Sequence, residues 1–142
     1  MRVESTPRTR YFTPAEATAL LPEVSKLMGN AAERGRRLKQ IVEGLGEGKP
    51  VSEPERAELV KEVERLRGEV TQLVERMNEL GVDVKGLDTG LVDFPALRNG
   101  EEVYLCWRLG EAKIEWWHPL TTGYAGRQKV ATSERVRWEW CN

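Results

Sequence analysis

Asp93 and Glu115 are two carboxylates that strand alternation can bring beside one guanidinium, Arg108, and one phenol, Tyr104. Two acids flanking an arginine between aromatic walls form a directional polar receptor for a small ligand. A cross-strand salt-bridge network on a solvated sheet face accounts for the same residue types. His118 and Arg127 complete the candidate ligand-binding set of Asp93, Tyr104, Arg108, Glu115, His118 and Arg127. On a strand, Glu115 and His118 point to opposite faces, so their three-residue spacing is not a metal-ligand pair. His118 is the only histidine, which removes multi-histidine zinc chemistry and favours a hydrogen-bonded core role over that of a general base. Oxygen-only coordination by Asp83, Asp88, Asp93 and Glu115 is conceivable, but the loop lacks a calcium-loop spacing. The expectation is therefore no metal and no cofactor.

Other chemistry is weakly supported. No nucleophile–base pair stands out, and Cys106 and Cys141 belong to no CxxC or zinc-type spacing. Residues 121–128, TTGYAGRQ, could hold an anion, but a phosphate loop should lead into a helix, and none follows. An ordinary ordered loop is the better reading. Five tryptophans beside arginines suggest a single-strand nucleic-acid platform, yet 22 basic against 23 acidic residues leave no charge excess to support it.

The elements that must position these residues are legible in the periodicity. The 142 residues suit one domain, with a helical hairpin over 14–80 and a sheet region over 81–142. Thr13-Pro14-Ala15-Glu16 has the chemistry of a capping box with proline at the first helical position. Leu20, Val24, Leu27, Ala31, Leu38, Ile41 and Leu45 then recur at heptad spacing, with Pro22 expected to bend the helix. Three glycines and a proline in 44–50 end it. Ser52, Pro54 and Glu55 open a second helix, and Gly81 stops it. The short connection makes the helices antiparallel, with Gly35 opposite Gly68.

Beyond Gly81 the hydrophobic period falls to two. Asn99-Gly100 is a strong hairpin turn and Gly110-Glu111 a plausible second one, joining strands at 91–98, 101–109 and 112–118. A fourth strand is expected over 134–140. Two-residue turns imply partner sums of 199 and 221. Trp107, Trp116 and His118 then face the helices, while Asp93, Cys106 and Glu115 form one row on the other face. Arg108 lies diagonal to both acids and should pair with one or both. Pro95 threatens this register, because proline cannot donate to a ladder and often accompanies a bulge. The fold class is α+β, a long antiparallel helical hairpin packed on a small antiparallel sheet of three to four strands.

Several blocks carry a resemblance: residues 12–17 (FTPAEA) with 20–24 (LLPEV), 80–85 (LGVDVK), 90–96 (GLVDFPA), 103–111 (VYLCWRLGE), Trp117-His118 and 123–127 (GYAGR). Together they resemble a bacterial family catalogued only as a domain of unknown function, over most of 11–128. The resemblance implies a type of protein without a reaction, and it singles out Asp93, Arg108, His118 and Arg127.

The leading expectation is a non-enzymatic cytoplasmic binding or scaffold protein that forms a homodimer. Residues 1–11 lack the apolar core of a signal peptide, and no run of apolar residues is long enough to span a membrane. The dimer interface is assigned to the hairpin tip: Leu38, Ile41, Val42, Leu45, Leu59, Val60, Val63 and Leu66. The hairpin outreaches any short strand, so its far half lacks a covering sheet. The rival reading is an enzyme or small-ligand receptor using the polar cluster. Nucleic-acid binding is a distant third.

Overall fold

The structure is a computed structural model describing residues 10–48, 51–130 and 136–139. The first helix, α1, runs Pro14–Gly46 and continues through Pro22. Thr13 accepts from the Glu16 amide while the Glu16 carboxylate accepts from the Thr13 amide, satisfying two amides that the first turn leaves unpaired. Ser52 and Glu55 repeat the arrangement at the start of α2, Glu53–Glu79. At its end, Gly81 takes φ +98°, the Gly81 amide bonds to the Asn78 carbonyl and the Val82 amide bonds to the Met77 carbonyl. Both Val82 and Met77 are fully buried, so the paired carbonyls come with an apolar contact that turns the chain into the sheet. The two helices pack as an antiparallel hairpin, cross-linked by Arg34–Glu69 at 2.8 Å and by the fork of Arg37 on Glu62 at 3.0 and 3.1 Å. A side chain on Gly68 would meet nothing, whereas one on Gly35 would touch Leu87.

The strands are β1 Asp83–Gly86, β2 Leu91–Arg98, β3 Glu101–Arg108, β4 Trp116–Pro119, β5 Gln128–Lys129 and β6 Trp138–Glu139. They form one antiparallel sheet in the order β1-β2-β3-β4-β5, with β6 pairing β2 at Leu97 and Arg98. Of the expected fourth strand, Trp138 and Glu139 carry the pairing, while 134, 135 and 140 fall outside the described residues. The strands β1 and β5 had no counterpart in the sequence reading.

Asn99 (φ 53°) and Gly100 (φ 81°) form the left-handed pair that a two-residue hairpin requires. Leu91 therefore pairs Arg108 and Asp93 pairs Cys106, as the sum of 199 demands. Pro95 causes no bulge. Its carbonyl points away from β3 and accepts from the Phe12 amide at 2.8 Å. In an antiparallel strand the N–H and C=O of one residue point the same way, so the missing donor also faces away from the β2–β3 ladder.

The second connection corrects the sequence reading. Pairs between β3 and β4 sum to 222: Tyr104 opposes His118, Leu105 opposes Trp117 and Cys106 opposes Trp116. The chain turns tightly after Arg108, where the Glu111 amide bonds the Arg108 carbonyl, but residues 112–115 then leave the ladder. The Ile114 amide donates to Thr18 Oγ1 on α1 at 3.2 Å, and Ile114 is buried in the core. That excursion absorbs one residue and flips every later side chain to the opposite face. Trp117, not Trp116, joins the core, and His118 turns to the outer face.

The core lies between the hairpin and the inner sheet face, where Phe12, Val24, Met28, Met77, Phe94, Leu105, Trp107 and Trp117 pack together. Phe12 meets Phe94 edge-on at 5.2 Å, and the Trp107 indole N–H is satisfied by the Glu111 carbonyl. Among the described residues, no helix is long and apolar enough to cross a membrane.

Gly90 holds φ +70°, and a Cβ there would lie 2.6 Å from the Leu109 Cβ. Urea denaturation should show Gly90→Ala destabilised by about 1–3 kcal/mol, because the turn joining β1 to β2 carries both strain and overlap. Gly44→Ala, in open helical space, should be neutral or stabilising.

Candidate functional site

The outer face is polar where a sheet face turned from the core is usually solvated, yet here it is buried. Asp93 on β2, Cys106 on β3 and His118 on β4 are 3%, 2% and 3% exposed. Asp93 and Cys106 are direct cross-strand partners, and His118 sits two pairs along the ladder, on the same face, opposite Tyr104. The imidazole reaches diagonally over β3, bringing Nε2 to 3.1 Å from Asp93 Oδ2. Candidate ligand atoms of the three side chains all lie within 4.8 Å of one another.

The hydrogen bonds constrain the protons. His118 Nδ1 lies 2.8 Å from the Pro119 carbonyl, which can only accept, so Nδ1 carries hydrogen. The short contact between Nε2 and Asp93 then requires one shared proton. Burial raises the Asp93 carboxyl above its ordinary range, opposed by the charges of His118 and Lys85. Burial also pushes the Cys106 thiol up to about 11, with the neighbouring Asp93 charge acting in the same direction. Cys106 is thus a protonated thiol at neutral pH and is not poised as a nucleophile.

Above these groups is a pocket of about 140 Å³, lined by Lys85, Leu91, Asp93, Tyr104, Cys106, His118, Leu120, Thr122, Gly123 and Tyr124. Tyr104 donates to Asp83 Oδ2 at 3.1 Å, and Lys85 lies over the Tyr104 ring at 4.6 Å. The loop from Leu120 supplies the opposite wall, ending in a single 3₁₀ turn, Tyr124–Gly126. Arg127 braces that loop. Its Nη2 donates to Glu111 Oε1 at 2.8 Å and to the Cys106 carbonyl at 3.2 Å, while the guanidinium lies over the Tyr124 and Trp116 rings.

Asp93, Tyr104 and His118 thus meet in one pocket, with Arg127 supporting its wall. Arg108 does not pair with Asp93 or Glu115. It is exposed, and its Nε donates to the Thr89 carbonyl at 3.3 Å. Glu115 has left the row: its place opposite Cys106 is taken by Trp116, and its carbonyl accepts from the Val130 amide. Cys106, Lys85, Thr122 and Tyr124 were missing from the candidate set. Alternation had already placed Cys106 beside Asp93, so that neighbour was findable. His118 was in the set, but the expected register turned it toward the helices and so away from Asp93.

The family model described as "Uncharacterized conserved protein (DUF2203)" matches residues 10–130. No curated protein and no solved structure matches the chain.

The raised thiol has a measurable consequence. In a Cys141→Ser background at pH 8, a disulfide reagent should label Cys106 at least about tenfold more slowly in the native protein than in urea, and equal rates would contradict the burial. The stability linked to Cys106 is fully present below the ordinary thiol value. It is lost as pH rises from 9.0 through about 11, because the unfolded thiol ionises first. Cys106→Ser should remove that alkaline slope.

Proposed function

The chain belongs to the DUF2203 family of uncharacterized conserved proteins, and from the pocket chemistry we propose that it is an enzyme or small-ligand receptor using the outer-face site. The observation that carries this reading is the burial of Asp93, Cys106 and His118 together on the sheet face turned away from the core. Polar groups buried for stability alone are costly and easily replaced by apolar ones, whereas binding and proton-transfer sites require them. The Asp93–His118 pair shares a proton and has its imidazole anchored at Nδ1, which suits it to exchange a proton with a bound molecule. The pocket volume fits a ligand of only a few heavy atoms, with polar contacts at the floor and Leu91, Leu120 and the tyrosines at the sides. We assign the protein to the cytoplasm on the same footing, and we assign it no nucleic-acid partner.

A fragment screen by protein-observed NMR, run on chelator-treated protein, tests the reading. Hits should shift the amides of Asp93, Cys106, His118 and Gly123 and disappear with His118→Gln. A library whose hits all map elsewhere would reject the site.

A second reading, self-association through the hairpin tip, is favoured by one observation. Val42, Val51 and Val60, at 51%, 37% and 44% exposure, all lie at that end of the molecule. Of the eight interface candidates, Ile41 and Leu66 are already buried within the chain, Leu38, Leu45, Leu59 and Val63 are half-buried, and Val42 and Val60 are exposed. A second copy packed there would cover the apolar stripe as a four-helix bundle with two-fold symmetry. Light scattering should then give twice the chain mass of 16.2 kDa, reverting to one chain when Val42 and Val60 are both changed to Glu. A single-chain mass for the unaltered protein would end this reading.

A further inference from the structure

We propose that Asp93, Cys106 and His118 form a three-ligand site for a divalent transition metal of zinc type, whose remaining coordination position opens into the outer-face pocket. The inference deepens the small-ligand reading above and rests on it. One oxygen, one sulfur and one nitrogen donor make a mixed set suited to a borderline-soft ion, unlike the all-oxygen sets of magnesium and calcium. The donors come from three adjacent strands, so the backbone ladders hold them in place.

The imidazole is the most informative of the three. With Nδ1–H committed to the Pro119 carbonyl, Nε2 is the nitrogen whose lone pair faces Asp93 and Cys106. A histidine ligand held by a backbone carbonyl through its other nitrogen is the usual means of fixing tautomer and ring orientation at a metal. In a tetrahedral site, donor atoms on one ion stand about 3.3–3.8 Å apart, given metal distances of about 2.0–2.3 Å. The Asp93–His118 contact of 3.1 Å would open slightly, and the widest separation, within 4.8 Å, would close by about 1 Å. Side-chain rotation covers such changes without moving a strand.

The protons balance. The shared Asp93–His118 proton and the Cys106 thiol proton leave as the ion enters, so one divalent ion replaces two protons and the net charge of the site is unchanged. Three protein ligands leave a position for water or an exogenous ligand, the pattern of a reactive rather than a structural zinc site. Lys85 at the pocket wall adds a positive charge beside that position, which favours an anionic group on the incoming molecule.

The test uses the full chain carrying Cys141→Ser, stripped with chelator and titrated with Zn²⁺ alone against a competing chelator, then with Co²⁺ under anaerobic conditions. The expected result is one ion per chain, a thiolate-to-cobalt charge-transfer band and the visible spectrum of a tetrahedral site. Binding should weaken at least about 100-fold in Cys106→Ser and in His118→Gln. Circular dichroism confirms folding, and Asp93→Asn serves as the third variant if either of those fails to fold. Failure of the unaltered chain to compete for Zn²⁺, or binding that survives Cys106→Ser without loss of the charge-transfer band, would overturn the metal site. Fragments that still bind the pocket in chelator-treated protein would then leave the small-ligand reading standing, so the two failures are separable.

Discussion

The hydrogen bond between Asp93 and His118 is the interaction on which the outer half of the molecule depends. Each group is almost fully buried, and either one alone would be a desolvated polar atom facing apolar and aromatic neighbours. Together they satisfy each other, and the second imidazole nitrogen is satisfied by the Pro119 carbonyl. Because the bond passes over β3, it ties β2 to β4 through side chains as well as through the ladder. The β2–β3 ladder sets Cys106 directly opposite Asp93, and the residue is only 2% exposed.

The enclosure requires a roof, which irregular chain supplies. Residues 120–127 fold back over the sheet and are held by Arg127, which reaches the Cys106 carbonyl and the Glu111 carboxylate. Glu111 also accepts from the Arg108 amide and caps the Trp107 indole through its carbonyl. One residue in the β3–β4 connection thus joins the roof of the site to the core beneath the sheet. The helices occupy the inner face, leaving the outer face free to evolve a polar enclosure without disturbing the main apolar contacts.

Local chemistry was legible in the sequence to the extent that its causes are local. Both capping boxes, the Gly81 stop and the Asn99-Gly100 turn involve residues at most a few positions apart, and each has one favoured backbone solution. Alternation carried that turn along β2 and β3 and brought Asp93 beside Cys106. The α+β class followed from the change of hydrophobic period at Gly81.

The β3–β4 register belongs to tertiary structure, because it is decided by a contact 96 residues apart in sequence, the Ile114 amide on Thr18 of α1. No periodicity within 112–118 records that pull. One residue diverted into the helix contact turns Trp117 inward and His118 outward, converting an expected core histidine into the partner of Asp93. Sequence alone therefore determined the helices, the first hairpin and the pairing of Asp93 with Cys106. Their assembly into a site depended on how a seven-residue connection, 109–115, settled against α1, since strand alternation reverses with every residue gained or lost.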